Sequence, residues 1–407
     1  WDQTLEENIL VVCKTPMARS ITRRTLAGFR KTVVHAEYYP ELIETITTKP
    51  DCVVNMLRSG KRFWKINDDE TMKIDAVIGN PPYQIVDGGG NGAAAKPIYH
   101  EFVRTSVKMS PSFVSLIIPA RWYAGGRGLD AFREEMLNSP HIDYIKDFPD
   151  AKDCFPTANI SGGVCFIRWN KGCNMPGCQF VNHIAGVELS RNRRLDAHTS
   201  FIRYNAAVDI IDKVLRTAHI GLSKIVSCYM PFGIRSFERG TVKPSSSANL
   251  RLHSSKGVGY IDRTHVTASF EYIDTYKVAV GKAISGHLGE MDANGQCKLL
   301  ATTKVLGPGE ITTESYLVIG QCATKREAEN LHKYVTTKFA RFLLMMGLTS
   351  MNITRDRFLY VPMQDFKSSA EINWARSHSE IDQQLYAKYG LTDGEIDFIE
   401  SLISSWQ

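Results

Sequence analysis

The stretch Asp75-Ala76-Val77-Ile78-Gly79-Asn80-Pro81-Pro82-Tyr83 is chemically the most telling in the sequence. Its apolar run predicts a strand over residues 74–78 that stops at Gly79. Asn80 then falls at the carboxyl end of that strand, the edge where open α/β sheets bind ligands. Pro81 and Pro82 fix the backbone and offer no N–H, so the turn presents carbonyls and is held rigid. Tyr83 adds an aromatic face. The array suits a planar aromatic amine, a poor nucleophile because its lone pair is delocalised into the ring. The Asn80 side-chain oxygen and the Pro81 carbonyl can accept both amine hydrogens and draw the nitrogen toward tetrahedral geometry. Their partial negative charge stabilises the positive charge that develops as the amine attacks an electrophilic methyl group. Tyr83 can stack on the ring and hold it in line. No strong base is needed, because the proton becomes acidic only after transfer. Asn-Pro-Pro also occurs as a plain turn from strand to loop; the strand, glycine and tyrosine around it favour the chemical reading.

The elements that must position this turn follow from apolar periodicity. Over the first 200 or so residues short apolar runs alternate with amphipathic stretches, the pattern of a doubly wound α/β sheet. Strands are expected at 9–12, 52–54, 74–78, 113–118 and 142–147, and helices at 16–29, 98–109 and 129–137. Thr15 and Pro16 mark the start of the first of these helices. Residues 163–169 and 179–182 look like a closing antiparallel pair, with Cys173 and Cys178 flanking a hairpin turn. Beyond Arg194 a helix over 202–217 leads into a region richer in Gly, Ser and Thr. That region holds one clear helix, 325–344, whose apolar stripe reads as core, and a helical tail over 381–404 follows. The expected division is 1–200, 201–370 and a helical segment 371–407.

Composition narrows the classes. The chain has 407 residues, 43% hydrophobic and 23% charged, as in ordinary globular proteins and unlike disordered or fibrous chains. No apolar run approaches the length of a membrane span. The amino terminus has neither the basic nor the apolar region of a signal peptide. It also lacks an initiating Met, which suggests a chain cut from something longer. Lys and Arg (49) exceed Asp and Glu (43) by six, a balance that permits nucleic-acid binding without requiring it. Nine scattered cysteines fit a reducing cytoplasm better than a disulfide framework. No histidine or cysteine spacing points to a metal.

The motifs together resemble the amino-methyltransferases that methylate adenine in DNA from S-adenosylmethionine, specifically those of type II and IIG restriction-modification systems. Asn80-Pro81-Pro82-Tyr83 looks like their catalytic tetrapeptide. Residues 118–129, with Phe132 and Arg133, resemble the strand and helix that follow it. Asp153-Cys154-Phe155-Pro156, with 160–166, resembles the later motif whose Phe contacts the flipped base, which makes Phe155 the second wall of an adenine pocket. Residues 313–320 and 381–386 look like the carboxyl-terminal part of the same enzymes. The resemblance implies a Rossmann-like methyltransferase sheet followed by an α+β target-recognition domain, with double-stranded DNA as partner and a cognate restriction endonuclease or fused nuclease domain as a further one.

The sequence departs from that family at the cofactor. A Gly-rich turn after the first strand should precede everything seen here and is absent. Residues 5–18 resemble the second strand, where acidic residues normally hold the ribose; this chain has Cys13-Lys14-Thr15 instead. By the match, Cys13, Asn55 and Asn80 line what there is of the cofactor site. The glycines of 88–92 follow the catalytic turn and read as a loop near DNA, and Gly125-Gly126-Arg127-Gly128 belongs to the post-catalytic motif. A target adenine must be flipped out of the duplex to be reached. Arg121, Trp122 and Arg127 are placed to contact phosphates or fill the gap, and Arg235, Arg239 and Lys277 lie in a basic, Ser- and Thr-containing region suited to DNA contact. Two alternatives stay open: a degenerate or truncated methylase kept only for recognition, and a fragment of a combined endonuclease-methylase.

Overall fold

The computed structural model of the chain describes residues 1–64, 66, 71–85, 95–158, 160–282, 292, 296–300, 302–347 and 353–406. Helix α1 (Asp2–Glu7) leads into β1 (Leu10–Cys13), α2 (Pro16–Ala27) and β2 (His35–Tyr38). Thr15 caps α2 by accepting the Ala18 N–H at 3.0 Å, and Pro16 fills its first position, where a missing N–H costs nothing. β1 and β2 pair in parallel as a two-stranded sheet. Helices α3 (Leu42–Thr48) and α4 (Pro50–Leu57) follow. The strand expected at 52–54 is therefore part of α4. Pro50 opens it, Asp51 lies in its first turn, and Val53, Val54 and Leu57 recur at helical spacing to bury one face. β2 went unread because His35-Ala36-Glu37-Tyr38 carries no apolar run.

The main sheet is built from β3 (Ala76–Gly79), β6 (Phe113–Pro119), β7 (Ile142–Phe148), β8 (Val164–Asn170), β9 (Cys178–Ile184) and β10 (Val187–Arg193), in the order β10-β9-β7-β8-β6-β3. The short pair β4 (Gln84–Ile85) and β5 (Lys96–Pro97) forms a separate ribbon after β3. β3 and β6 are parallel, as are β7 and β9, whereas β8 runs antiparallel between β6 and β7. Residues 163–169 and 179–182 therefore do not pair with each other: both strands flank β7. The segment from Cys173 to Cys178 is a crossover, not a hairpin. Helices α5 (Tyr99–Lys108) and α6 (Asp130–Asn138) cover this sheet through Tyr99, Val103, Phe132 and Met136, which join Val114, Leu116, Ile118, Ile145, Ile167 and Phe180 in one core.

From α7 (Asn205–Thr217) onward two three-stranded sheets appear: β11 (Leu250–Ser254), β12 (Gly257–Ile261) and β15 (Glu310–Thr312) form one, and β13 (Tyr276–Gly281), β14 (Thr303–Leu306) and β16 (Tyr316–Cys322) the other. The helix expected over 325–344 is two, α8 (Lys325–Thr336) and α9 (Lys338–Gly347). Thr337 between them is extended (ψ 156°), and its hydroxyl accepts the Ala340 N–H at 3.1 Å, so it ends one helix and caps the next. The tail is α10 (His378–Lys388) and α11 (Asp393–Leu402), opened by the capping boxes Ser377/Glu380 and Thr392/Glu395. Their Ile381, Leu385, Ile399 and Leu402 share one core with α7, α8 and α9.

Candidate active site

β3 is an edge strand of the main sheet, hydrogen-bonded on one side to β6 through Ala76 to Gly79. Val77 packs inward while Ile78 is 78% exposed, so the strand is anchored by one face. Asn80 follows directly and is exposed; Pro81 is buried beneath it. The chain is then tied back to the sheet region, because the Tyr83 carbonyl accepts the Ile98 N–H at 3.1 Å and Gln84 pairs with Pro97. Among the described residues no group donates to the Pro81 carbonyl. The turn thus holds an exposed amide next to a carbonyl that no described backbone group occupies, fixed by two prolines.

Tyr83 is half-buried against Ile117, Phe148, Ala151 and Val164, and Phe155 packs on the same cluster together with Cys154 and Ile160. Burial pushes the Tyr83 phenol up to about 12, with the Cys154 and Cys165 thiols adding to it and the neighbouring Asn80 side chain opposing it. The phenol is therefore neutral. Among the described residues its buried hydroxyl has no partner at full hydrogen-bond geometry, although the Asn80 side chain stands near it. Phe155 is held by its own backbone: its N–H reaches the Ala151 carbonyl at 2.7 Å, and its carbonyl takes the Ala158 N–H at 2.9 Å. Gly162 (φ +86°) and Gly163 (φ +78°) turn the chain back into β8, and a Cβ at Gly163 would lie 2.1 Å from the Phe148 carbonyl oxygen. Only glycine lets this loop close on the wall that Tyr83 and Phe155 share.

Beside this wall the chain runs through Ala120–Ala124, a single 3-10 turn, into Gly125, Gly126, Arg127 and Gly128, all with positive φ (69°, 72°, 51° and 84°). Arg127 is the non-glycine in that run, a conformation that costs L-residues roughly 1–2 kcal/mol. Asp130 holds the run by accepting the Gly126 N–H at 2.8 Å. Arg121 and Arg127 are exposed, and each lacks an ion pair among the described residues. Partial burial, and next the charge of Arg127, lower the Arg121 guanidinium from its ordinary value.

Trp122 does not belong there. It is fully buried in the sheet–helix core, its ring 6.0 Å from Phe132, and its indole N–H points at Cys165 Sγ at 3.5 Å. In the 3-10 turn Arg121 faces outward, whereas Trp122 and Tyr123 are buried. Lys277 is likewise buried, and its ammonium donates to the carbonyls of Ile273 (3.2 Å), Thr275 (2.9 Å) and Gly307 (2.9 Å). Desolvation lowers it to about 8. It ties loops together and is not free to meet a phosphate. Arg235 and Arg239 are exposed as expected, Arg235 lying 3.4 Å from Glu314.

The residues expected around a methyl donor are dispersed. Cys13 is buried with its thiol 3.9 Å from Thr22 Oγ1, facing α2. The Thr15 hydroxyl is used as the helix cap. Asn55 stands on the exposed face of α4, not at a strand end. Glu37, on the strand paired with β1, is bound by Arg23 (2.8 Å) and Arg19 (3.5 Å). The described residues therefore do not by themselves fit a nucleoside. The glycines of 88–92 lie outside the described residues. Among the described residues there is also no cluster of metal ligands.

Sequence reading missed the brace behind the site. Asp147, fully buried, receives the Arg203 guanidinium through two bonds of 2.8 Å and the Asn182 amide at 3.2 Å. Asn182 in turn accepts the Asn205 N–H at 2.7 Å, fastening β7 and β9 to the start of α7. Two charged residues 56 positions apart give no local signal.

The family model described as Eco57I restriction-modification methylase matches residues 7–155, a span that takes in Asn80–Tyr83 and ends at Phe155. An uncharacterized adenine-specific methylase of Mycoplasma pneumoniae is 34% identical over 166 residues, covering 36% of this chain and 39% of that protein. The chain thus spans about two fifths of that curated relative's length. Among solved structures, the Type IIL restriction-modification enzyme MmeI in complex with DNA aligns over 91% of this chain and 59% of its own, at 9% identity and a TM-score of 0.43. The type IIG restriction endonuclease BpuSI aligns over 97% and 62%, at 10% identity and a TM-score of 0.37. Over residues 7–155 this chain is thus similar to the Eco57I restriction-modification methylases.

Proposed function

We propose that this chain carries the catalytic turn, base pocket and DNA-binding half of an adenine-specific DNA methyltransferase of a restriction-modification system. The observation that carries the reading is the pairing of an exposed Asn80 and an open Pro81 carbonyl with the Tyr83–Phe155 wall. The wall is apolar and accepts a flat ring, and the two oxygens accept the ring's exocyclic N–H groups. Holding both hydrogens keeps the amine lone pair aimed away from the turn. S-adenosylmethionine, the donor such a family uses, would supply the electrophilic methyl group.

Arg121 and Arg127 would take a backbone phosphate beside the extruded nucleotide, and the positive φ at Arg127 fixes where its side chain starts. Arg235 and Arg239 extend the basic surface into the second half. No helix among the described residues is long and apolar enough to cross a membrane, and all nine cysteines are free, in keeping with a DNA-modifying protein of the cytoplasm. Association with a restriction endonuclease, as a separate protein or a fused domain, belongs to the same reading. The intact Asn80–Tyr83 turn and the Phe155 beside it weigh against a purely recognitional remnant.

Extrusion of the base predicts its own test, one that needs no methyl donor. Affinity is measured for a bound duplex and for the same duplex with the target adenine mispaired or removed. Since unpairing costs a few kcal/mol, the altered duplexes should bind at least about tenfold more tightly. Equal affinity for all of them would contradict the reading.

A further inference from the structure

Three aromatic side chains in the second half of the chain are more than half exposed: Tyr229 (54%), Phe237 (76%) and Phe270 (54%). They lie on two adjoining loops, residues 226–240 and 262–275. Thr267 donates its N–H to the Phe232 carbonyl at 3.1 Å, and Cys228 Sγ lies 3.9 Å from Ser269 Oγ. Below the surface Phe232 and Ile234 anchor the first loop in a core with Leu252, Ile261, Ile273 and Val318. Gly233 (φ +73°) passes so close to Thr267 that a Cβ would lie 1.7 Å from its hydroxyl oxygen.

The tip of that loop is pinned on both sides of Phe237. The Ile234 carbonyl accepts the Glu314 N–H at 2.8 Å, and the Glu314 carboxylate accepts the Ser236 N–H at 2.9 Å while it holds Arg235. On the far side the Glu238 carboxylate accepts the N–H of Arg239 at 3.1 Å and of Gly240 at 3.3 Å. The Arg239 guanidinium folds back to the carbonyls of Ser236 and Glu238, the latter at 2.8 Å. Beside this loop Lys282 donates to the Tyr229 carbonyl and stands 3.3 Å from the centre of its ring. An ordered loop therefore holds an apolar ring out in water between two arginines.

A large exposed apolar side chain on a rigid segment calls for an occupant. Phe237 stands between Arg235 and Arg239, both exposed, and cations on either side of a ring suit the phosphates that flank a base step. We propose that Phe237 is a wedge that enters a DNA duplex between stacked base pairs, with Arg235 and Arg239 against the adjoining backbone. The inference rests on the DNA-binding reading above and adds to it the place where the duplex is opened. Such a wedge kinks and unstacks the step it enters.

The test uses the duplex that the chain retains best from a randomised pool. 2-Aminopurine, bright when unstacked, is placed at successive positions of that duplex, and wild type is compared with Phe237→Ala and Phe237→Trp. Wild type should raise the fluorescence at one step. Phe237→Ala should abolish that rise and weaken binding about tenfold, the scale of one lost stacking contact, and Phe237→Trp should restore both. Phe237 is outside the core, so neither variant threatens the fold. An undiminished fluorescence rise in Phe237→Ala would overturn the wedge and leave DNA binding standing. A wild-type chain that retains no duplex at low salt would overturn the DNA-binding reading itself, and the wedge with it.

Discussion

Tyr83 and Phe155, from loops after two different strands, pack on one apolar cluster made by Ile117, Phe148, Ala151 and Val164. That shared support holds both rings on one surface, and it leaves the Tyr83 hydroxyl buried with no described partner at full hydrogen-bond geometry. The ring is then the useful part of Tyr83. Tyr83→Phe should keep methyl transfer within about threefold of wild type and raise stability by up to about 1 kcal/mol, since an unsatisfied hydroxyl is removed. Tyr83→Ala should lose stacking and about 1–3 kcal/mol of apolar burial. Thermal unfolding and turnover of the two variants decide it; a Phe variant as damaged as the Ala variant would assign the hydroxyl a role.

Buried and exposed cations should separate in their salt dependence. Arg121 is exposed with no ion pair among the described residues, whereas the Lys277 ammonium is spent on three carbonyls. Arg121→Ala should reduce the slope of log K against log salt by about 0.9, the loss of one phosphate contact. Lys277→Met should leave that slope unchanged and destabilise the fold by about 1–3 kcal/mol, because carbonyls lose their donor. A reduced slope in Lys277→Met would return that residue to the DNA surface.

The Asp147–Arg203 pair joins the main sheet to the second half of the chain. Removing one partner leaves the other charge buried without compensation, so Arg203→Leu should cost about 3–5 kcal/mol in chemical denaturation. The double variant Asp147→Leu/Arg203→Leu should recover much of that loss. A cost under about 1 kcal/mol for the single change would show that water reaches the pair.

Asp382 lies under the start of α9 and accepts the N–H groups of Phe339 (2.9 Å) and Lys338 (3.1 Å). Burial nonetheless raises its carboxyl from 3.8 to about 6. The folded state then holds a proton that the unfolded state has released, so this group's contribution favours folding at low pH and declines as pH rises from about 4 to about 6. Carboxylates with lowered values give the opposite slope, so the difference between wild type and Asp382→Asn isolates the effect. That difference should change by about 2–3 kcal/mol across the window. A flat difference would mean that the carboxyl titrates normally.

The sequence reading found the strands that carry the chemistry because each is a short apolar run closed by a turn signal, as Ala76–Gly79 is by Asn80 and the prolines. It failed where local pattern is ambiguous. Cys52-Val53-Val54 is β-branched and apolar, yet Pro50 and the burial of Leu57 make it helical. The strand His35–Tyr38 is half polar and is held by its parallel partner β1. The pairing of β8 with both β6 and β7 depends on long-range closure that no window shows. At the site, residue types were legible but exposure was not. Arg121 and Trp122 are neighbours with opposite fates, and Lys277 resembles any surface lysine until its three carbonyls are seen.

The most direct test of the central claim is the chemical identity of the product. Duplex DNA is incubated with the full-length gene product and S-adenosylmethionine labelled in its methyl group, then digested to nucleosides. The account predicts label in N6-methyladenine, reduced by at least about a hundredfold in Asn80→Ala because the groups that stabilise the developing charge are lost. Label in N4-methylcytosine, or transfer to adenine undiminished in Asn80→Ala, would contradict it.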